Sequence, residues 1–384
     1  MVFVGRLPGS FRMSKPLTVA DYRLAAQRYL PRAVFDYVDG AAGDERGLKR
    51  NREAIDRILF APRPLRDVSR RDSSIEVFGK RQDMPVVVGP VGLPGSVRPG
   101  ADVALARAAK RAGVPFALST AASASIEEVR AASDGDLWFQ LYVLNRGLAD
   151  SLVKRALAAD YSTLVLTVDT AVGGRRERDT RNGFGIPFRM TPRFFTDCAL
   201  HPAWALSQLR NGLPEFGNLR SAEATDTNQQ AMLMLRQIDA SYAWDDLKAL
   251  RDAWPRKLVV KGLMHQDDAK RCFEIGVDGV GFSNHGARQV EDSPAPIDVL
   301  AEATAPEGGT LFVDSGFRRG ADIVKAVALG ASAVFLGRVP LFALGARGEE
   351  GVDEMLAYLK AEIENTLALI GCPRAEDLSR EVLA

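Results

Sequence analysis

Cysteine and histidine are scarce in this chain of 384 residues, which contains only three of each. The cysteines, Cys198, Cys272 and Cys372, are odd in number and far apart, and their spacing matches no metal-ligand motif. This usage predicts a reducing compartment, structural roles for the thiols and no metal site. The scarcity of histidine leaves few positions for a general base, and His285 has the richest sequence setting of the three.

The chain also lacks an excess of either charge and any long apolar run. Lysine plus arginine (50) nearly balances aspartate plus glutamate (49), so no global field favours nucleic acid or an acidic partner. No run approaches the roughly 18 apolar residues that a spanning helix needs, and the N-terminus has no apolar core of signal-peptide length. These absences predict a protein that binds no nucleic acid and is neither secreted nor integral to a membrane.

Eight short apolar runs alternate with helical segments over most of the chain. The length allows either two ordinary domains or one large barrel with additions. Strand and helix repeated eight times with short turns predicts a (β/α)8 TIM barrel, and a doubly wound open sheet is the alternative. The predicted strands are Pro85 to Pro90, Pro115 to Ser119, Leu137 to Val143, Thr163 to Val168, Lys257 to Gly262, Gly279 to Ser283, Thr310 to Asp314 and Ala333 to Gly337.

Two regions fall outside this alternation. Residues 1–80 form a predicted N-terminal tail and helical extension, whose first helix begins at a sequence like a capping box at Thr18. Residues 170–242 follow the fourth predicted strand and are far too many for an ordinary connection. We expect one domain over residues 1–384, with this long loop as a functional or disordered insertion.

The predicted strands end in polar residues or glycine, and chemistry in this fold gathers at the C-terminal strand ends. Beyond the sixth run, a base, His285, and a cation, Arg288, stand three residues apart in a glycine-punctuated turn. A lone histidine in a turn is more often solvated or a cap. The polar strand ends taken together nevertheless favour a working pocket with His285 as its base.

The last two predicted strands end in glycine and arginine. Asp314-Ser-Gly-Phe-Arg-Arg-Gly320 precedes a helix, and Gly337-Arg338 follows the eighth run. Exposed N–H groups and guanidinium groups at these two strand ends predict a phosphate-binding site. Barrels of this fold often bind a phosphate group at this position. The alternative is that the glycines only shape turns and the arginines are solvated.

Several separated stretches carry a resemblance to a known family. They are Phe35 to Ala41, Phe139 to Tyr142, Leu166 to Asp169, Arg176-Glu177, Val260 to Gly262, Ser283 to Gln289, Asp314 to Gly320 and Gly337-Arg338. Together they resemble the FMN-dependent α-hydroxy acid oxidising family, which includes glycolate oxidase, lactate oxidase and flavocytochrome b2. Residues 134–138, 254–257 and 314–317 look most like its bacterial mandelate-oxidising branch. The resemblance implies FMN as cofactor and an (S)-2-hydroxy acid, such as mandelate or another aryl hydroxy acid, as substrate.

The resemblance implies a substrate site made of two arginines and two tyrosines. Arg176 and Arg288 would clamp the substrate carboxylate, since guanidinium groups match it in geometry and charge. Tyr37 and Tyr142 would hydrogen-bond the substrate oxygens. Gly92 would lie beside the substrate and leave room for an aryl group, although a hydrophobic pocket discriminates by only a few kcal/mol.

The resemblance also implies the catalytic roles of a base and its partner. His285 would be the general base, and Asp169 would orient and stabilise the imidazolium that forms. Lys261 would lie beside the flavin, where its charge stabilises the reduced ring. The further cofactor contacts implied are Pro90, Val91, Gly92, Ser119, Gln140, Thr167, Ser283, Asp314, Gly316, Arg318, Gly337 and Arg338.

Two departures from the family pattern affect these expectations. Val91 stands where many relatives have threonine, so one side-chain hydrogen bond to the flavin is absent. Glu291 stands where the motif usually has aspartate, which leaves open how Arg288 is held.

The insertion contains a candidate membrane segment at residues 188–219. Aromatic residues and leucines alternate there with arginines, as in segments that lie in a membrane interface, and the alternative is a lid over the barrel mouth. The resemblance implies peripheral attachment to the cytoplasmic face of the inner membrane, a quinone acceptor and a homotetramer. An oxygen-using oxidase that releases hydrogen peroxide and a non-redox phosphate-binding barrel are the alternative functions.

Overall fold

A closed barrel of eight parallel strands forms the centre of the molecule in the computed structural model, which describes residues 15–184, 191–220 and 226–384. The strands follow one another around the barrel in chain order, and the last pairs with the first, Val334 opposite Val86. The prediction of a TIM barrel is therefore confirmed, and the open sheet is excluded. The barrel strands are β3 (Val86–Val88), β4 (Phe116–Ser119), β5 (Leu137–Tyr142), β6 (Thr163–Thr167), β7 (Lys257–Leu263), β8 (Gly279–Phe282), β9 (Thr310–Val313) and β10 (Ala333–Leu336).

A short hairpin of β1 (Ile75–Val77) and β2 (Lys80–Gln82) covers the N-terminal end of the barrel. Its turn residue, Phe78, packs 5.8 Å from Phe312 and 5.9 Å from Trp138, measured between ring centroids. Trp138 in turn meets Phe335 at 6.0 Å in an edge-to-face contact. This aromatic layer fills the bottom of the barrel, so a ligand site can lie only towards the C-terminal strand ends. The sequence analysis predicted a tail and helical extension for residues 1–80, and it did not predict this hairpin.

Helices surround the barrel as the alternation predicts. The first begins at Thr18 with the expected capping box, in which the Thr18 hydroxyl accepts from the Asp21 N–H. The last long helix, which packs against the first, contains a break at Gly348, which the sequence pattern did not predict. The helices are α1 (Val19–Tyr29), α2 (Arg32–Asp39), α3 (Arg46–Arg57), α4 (Ala101–Arg111), α5 (Ile126–Ala132), α6 (Arg146–Ala158), α7 (Glu177–Arg181), α8 (Pro192–Leu200), α9 (Pro202–Asn211), α10 (Thr227–Gln237), α11 (Trp244–Ala253), α12 (Gln266–Glu274), α13 (Pro296–Glu302), α14 (Gly320–Ala328) and α15 (Arg338–Ile370).

Four of these helices, α7 to α10, lie in the insertion after β6. The insertion is docked on the barrel, because the Trp204 indole donates to the carbonyl of Ser96 (2.8 Å) and the Gln208 amide donates to that of Gly95 (2.9 Å). Phe188, Arg189 and Met190 of the candidate membrane segment lie outside the described residues, as do the first 14 residues of the predicted tail. Within the described ranges no helix has the length and apolar character needed to cross a membrane.

Candidate functional site

A cavity of about 1140 Å³ opens at the C-terminal strand ends. Most residues predicted from the sequence to form the site line it. Asp169, Ser119 and Ser283 stand one layer behind the cavity wall, where each contacts a lining residue. The predicted residues that line the cavity are Tyr37, Pro90, Val91, Gly92, Gln140, Tyr142, Thr167, Arg176, Lys261, His285, Arg288, Asp314, Gly316, Arg318, Gly337 and Arg338.

His285 stands in a left-handed turn directly after β8. Three consecutive residues, His285, Gly286 and Ala287, have φ values of 57°, 65° and 62°. Residues other than glycine are strained in this left-handed region, and they keep this conformation only where surrounding contacts hold the backbone in place. The turn directs the imidazole Nδ1 to Asp169 Oδ1 at 3.0 Å, beyond the end of β6. This leaves the opposite ring nitrogen, Nε2, for the cavity that His285 lines.

Asp169 is held as a carboxylate. Burial alone raises the pKa of Asp169, but the charge of the His285 ring when it is protonated, the hydrogen bond with His285 and the charge of Lys261 outweigh it, so that this pKa lies below its ordinary value. The second oxygen, Oδ2, is buried and has no hydrogen-bond partner among the described residues. An ionised, buried carboxylate on Nδ1 fixes the tautomer of the imidazole and leaves Nε2 without its proton, as an acceptor.

Two guanidinium groups converge beside this base. Arg288 donates to the carbonyls of Tyr37 (2.7 Å) and Gly40 (2.9 Å), so that α2 holds it in place. Burial and then the neighbouring charge of Arg176 lower the pKa of Arg288. Arg176 lies 3.5 Å from Asp179, a buried carboxyl whose pKa is raised by burial in spite of the charges of Arg176 and Arg288. Two cations in a cavity wall repel each other, and an anionic ligand between them relieves that repulsion.

Two tyrosine hydroxyl groups complete this part of the cavity. Tyr37 donates to the carbonyl of Gly92 at 3.0 Å, and its ring lies 5.1 Å from the Arg288 guanidinium carbon. Burial raises the pKa of Tyr142, which therefore keeps its proton as a hydrogen-bond donor. A β-carbon at Gly92 would lie 3.2 Å from the Tyr37 hydroxyl, so a side chain there would crowd this donor.

A buried polar chain links three barrel strands behind the cavity. Lys261 at the end of β7 donates to the Ser283 hydroxyl (2.8 Å), which donates to Asp314 (2.9 Å). The Lys261 ammonium also lies 2.5 Å from Asp314 Oδ2, and its side chain is almost fully buried. The charge of Lys261 is thus fixed at the cavity wall.

Two further arginines stand at the ends of β9 and β10. Burial lowers the pKa of Arg318 to about 10 and that of Arg338 to about 9, each with a smaller contribution from a neighbouring arginine. Arg338 donates to the carbonyls of Val38 (3.0 Å), Gly40 (2.7 Å) and Gly286 (3.0 Å). Neither arginine forms an ion pair with a carboxylate in the described part of the chain. Two desolvated cations without an anion form a site for a phosphate group.

These features fit FMN, which combines a phosphate with a ring that carries hydrogen-bonding groups. Besides the two arginines, the Gln140 amide nitrogen is buried and has no hydrogen-bond partner among the described residues. Its amide oxygen accepts from Ser119 at 2.9 Å, which directs the unpartnered N–H groups away from that contact. Gln140 lines the cavity and can donate to an acceptor on the ring, because a buried donor without a partner is costly.

Sequence reasoning missed several residues that hold the site. Asn51 on α3 exchanges amide hydrogen bonds with Asn284, the residue before His285. Gly174 needs its lack of a side chain, because a β-carbon there would overlap the carbonyl of Arg288. The local sequence signal for Gly174 was the Gly173-Gly174 pair in a loop. No local signal pointed to the Asn51–Asn284 contact.

The structure also answers the question that Glu291 raised. Its carboxylate accepts from the backbone N–H of Arg46 (3.0 Å) and pairs with the Arg46 guanidinium (3.1 Å). It does not hold Arg288, whose partners are the backbone carbonyls described above. The longer side chain of glutamate therefore joins α3 to the His285 turn region and leaves the cation in the cavity undisturbed.

Comparison with known proteins agrees with this site. Residues 26–384 match the family described as FMN-dependent dehydrogenase. The (S)-mandelate dehydrogenase of Pseudomonas putida is 52% identical over 365 residues, 95% of this chain and 93% of the relative. An L-lactate dehydrogenase of Caulobacter vibrioides is 41% identical over 96% of this chain and 97% of its own length.

Comparison with solved structures agrees with the sequence comparison. The crystal structure of the monotopic membrane protein (S)-mandelate dehydrogenase superposes with a TM-score of 0.94 at 52% identity and covers 96% of this chain and 99% of that one. A mandelate oxidase structure superposes with a TM-score of 0.80 at 33% identity, over 96% and 98% of the two chains. This chain belongs to the FMN-dependent dehydrogenase family and is an FMN-dependent oxidoreductase.

Proposed function

We propose that this enzyme oxidises an (S)-2-hydroxy acid, with (S)-mandelate or a related aryl hydroxy acid as substrate, to the 2-keto acid. The observation that carries the proposal is that one cavity is lined by a base, His285, and by two guanidinium groups that repel each other, Arg176 and Arg288. A 2-hydroxy acid presents to such a site a carboxylate and, one carbon away, a hydroxyl. The high identity to (S)-mandelate dehydrogenase supports the same substrate class.

Charged and polar side chains of the cavity bind and orient the substrate. Arg176 and Arg288 hold the substrate carboxylate, and the Tyr142 hydroxyl donates to a substrate oxygen. The Tyr37 hydroxyl, whose proton goes to the Gly92 carbonyl, accepts from the substrate hydroxyl. The substrate is thereby oriented with its reacting carbon towards the base. Holding it in one orientation removes much of the entropy barrier of the reaction.

His285 then accepts a proton at Nε2 while Nδ1 stays bonded to Asp169. The Asp169 carboxylate stabilises the resulting imidazolium, since its pKa lies below the ordinary value and it stays ionised. When bound, FMN supplies the acceptor for the two electrons that leave the substrate. Lys261 presents a fixed positive charge, and Gln140 presents N–H groups that have no partner in the described part of the chain. Arg318 and Arg338 would hold the phosphate.

The substrate class is tested by anaerobic titration of the purified yellow holoenzyme. (S)-Mandelate, (R)-mandelate, glycolate and L-lactate are added separately while the flavin absorbance is recorded. We expect bleaching by (S)-mandelate at the lowest concentration and none by the (R) enantiomer. Stronger bleaching by L-lactate would instead place this enzyme with its lactate-oxidising relatives, and no bleaching by any of the acids would contradict the proposal.

We also propose a membrane quinone as the electron acceptor, in place of oxygen. The FMN-dependent relatives include both dehydrogenases and a mandelate oxidase, and the identity to the dehydrogenase is the higher, 52% against 33%. Admitting air to the reduced enzyme separates the alternatives. Slow recovery of the flavin band supports the dehydrogenase, whereas fast recovery with stoichiometric hydrogen peroxide would make the enzyme an oxidase.

We propose that α8 and α9 attach the enzyme to the cytoplasmic face of the inner membrane. Several large apolar side chains on these helices are exposed, among them Leu200 (78%) and Leu209 (82%), and Arg193 and Arg210 are exposed beside them. Apolar groups flanked by arginines suit an interface with anionic lipid. The described relative is itself a monotopic membrane protein.

Deleting residues 188–219 is a poor test of attachment, since Trp204 and Gln208 dock the insertion on the barrel. The double variant Leu200→Glu and Leu206→Glu changes only exposed side chains. We expect it to leave the membrane fraction while its flavin is still bleached by substrate. Leu369→Glu, at an exposed leucine of α15, is the matched control and should stay with the membrane.

We further propose that residues 1–384 act as one domain and that the enzyme assembles as a homotetramer. The contribution of the N-terminal extension to the cavity, through Tyr37 and the Gly40 carbonyl, supports the first point. Light scattering of the detergent-solubilised enzyme tests the second, and a monomeric mass would refute it.

A further inference from the structure

The cavity extends beyond its catalytic part. Its volume of about 1140 Å³ includes a continuation away from His285 beneath α8 and α9. We call this continuation the apolar limb and define it by the lining residues Phe195, Trp204, Gln208, Leu209 and Leu213. The proposed roles of the base, the arginines and the phosphate site use none of these residues.

The apolar limb reaches the outer surface of the insertion. Phe195, Leu209 and Leu213 line the cavity and are also exposed on the surface of the protein. Trp204, by contrast, is buried at the inner side, where its indole donates to Ser96. The limb is therefore continuous from the catalytic cavity to the exposed apolar surface that we propose to face the lipid.

One polar atom in the limb has no hydrogen-bond partner among the described residues. Gln208 is only 4% exposed, and its amide nitrogen donates to the carbonyls of Gly95 (2.9 Å) and Ser96 (3.3 Å), which fixes the orientation of the amide. The amide oxygen is buried and has no hydrogen-bond partner among the described residues. A buried acceptor without a donor carries a cost of about 1–3 kcal/mol, which a ligand hydroxyl would relieve.

We propose that the apolar limb is the binding site of the electron acceptor, a quinone with an apolar tail, and that Gln208 Oε1 accepts a hydrogen bond from the quinol product. The tail leaves over Leu209 and Leu213 towards the lipid, while the head group reaches the catalytic cavity. The hydroxy acid loses two electrons and two protons to become the keto acid, and the quinone gains two electrons and two protons to become the quinol. This inference rests on the proposed function, because it assigns a site to the acceptor of that reaction.

The test separates reduction of the flavin from its reoxidation. Holoenzyme in detergent is reduced with one equivalent of (S)-mandelate and mixed anaerobically with a benzoquinone that carries either no tail or a decyl tail. Reoxidation of the flavin is followed by stopped-flow absorbance. Binding of the quinone to the oxidised enzyme is followed independently by the quenching of Trp204 fluorescence. The variant Trp204→Phe identifies the part of the fluorescence that comes from Trp204. We expect the tailed quinone to saturate at lower concentration than the untailed one.

Two leucines of the same helix provide a matched pair of variants. Leu209 lines the limb, whereas Leu206 is exposed on α9 without lining it. Leu209→Ala should raise the half-saturating concentration of the tailed quinone by about fourfold or more, the value of one lost methylene contact. Leu206→Ala should not, and both variants should be reduced by mandelate at the wild-type rate.

A third variant, Gln208→Leu, should weaken binding of the tailed and untailed quinols by ~10-fold relative to that of the quinones, because it removes an acceptor oxygen that only the quinol hydroxyl groups can use. Loss of the docking bonds to Gly95 and Ser96 would instead weaken quinone and quinol alike. Equal saturation by the two quinones, or equal behaviour of the two alanine variants, would overturn the proposal. Absence of flavin bleaching by mandelate would overturn the proposed substrate instead, and saturable quenching of Trp204 would then still support the quinone site.

Discussion

Asn51 and Asn284 exchange two amide hydrogen bonds, of 3.0 Å and 2.8 Å, across the gap between α3 and the turn that carries His285. Both side chains are buried. Asn284 also accepts from the N–H of Ala287, two residues beyond His285. The N-terminal extension therefore holds the strained left-handed turn from outside the barrel, and the position of the catalytic base depends on it.

Replacing Asn51 with alanine should destabilise this turn. The variant leaves part of the Asn284 amide buried without a partner, at a cost of about 1–3 kcal/mol. We expect a lower urea midpoint for the holoenzyme and slower bleaching of the flavin by substrate. Asn211→Ala is the control, since Asn211 is exposed and its amide donates to Ser207 in its own helix. Equal midpoints for the two variants would show that the amide pair is unimportant.

Replacing Gly286 with alanine should weaken FMN binding. A β-carbon at Gly286 would lie 2.5 Å from a guanidinium nitrogen of Arg338, so that this cation must move out of the phosphate site. We expect the FMN dissociation constant to rise by ~10-fold or more, measured by flavin fluorescence after ultrafiltration. Gly308→Ala controls for backbone strain, because Gly308 has φ +78° but a β-carbon there would meet no atom within 4 Å. If the FMN affinity fell equally in both variants, backbone strain alone would account for the effect.

Replacing Asp169 with asparagine should slow the proton transfer. The amide keeps the size of the carboxylate but removes the charge that stabilises the imidazolium and fixes its tautomer, and we expect a fall of ~10²-fold or more in the rate of flavin bleaching. Stopped-flow absorbance gives this rate. Asp267→Asn changes an exposed aspartate that faces His265 at 3.6 Å and should have no effect. A wild-type rate for the Asp169 variant would remove His285 and Asp169 from the mechanism.

Asp102 should make stability depend on pH near neutrality. Burial raises the pKa of this carboxyl to about 7, although the N–H groups of Ala124 and Ser123 donate to it. Between its ordinary value and about 7 the folded protein holds a proton that the unfolded chain releases, so this group's contribution to stability falls as pH rises through that window. Asp102→Asn carries no charge in either state.

We therefore expect Asp102→Asn to be more stable than wild type at pH 8, by ~2 kcal/mol, with a smaller difference at pH 5. Denaturant midpoints of the two proteins at both pH values provide the measurement. A difference that is the same at pH 5 and pH 8 would mean that this carboxyl does not titrate in the window.

Replacing Gly92 with leucine should discriminate between substrates. The side chain would enter beside Tyr37 and Ala121, which lie 3.2 Å and 3.5 Å from the position of its β-carbon. We expect kcat/KM to fall by ~10-fold or more for mandelate and much less for glycolate, which has no aryl group to displace. Glycolate serves as the internal control. Equal losses on the two substrates would show that the size of residue 92 does not select the aryl group.

Much of this protein follows from local sequence pattern. The eight apolar runs match β3 to β10, because a buried parallel strand needs a continuous apolar run and the alternating helices allow only a few topologies. Barrel closure then brings all C-terminal strand ends to one mouth. His285, Lys261 and Arg338 could be assigned to one cavity for that reason, although they are distant in sequence.

Tertiary structure alone decided how those residues are held. The Asn51–Asn284 pair, the carbonyls of α2 that hold Arg288, and the partner of Glu291 join residues more than 200 positions apart. Such contacts depend on how helices outside the barrel pack, and no periodicity or motif encodes that. The same holds for the apolar limb beneath α9, since burial of Gln208 and exposure of Leu209 on one helix follow from docking of the insertion and not from its composition.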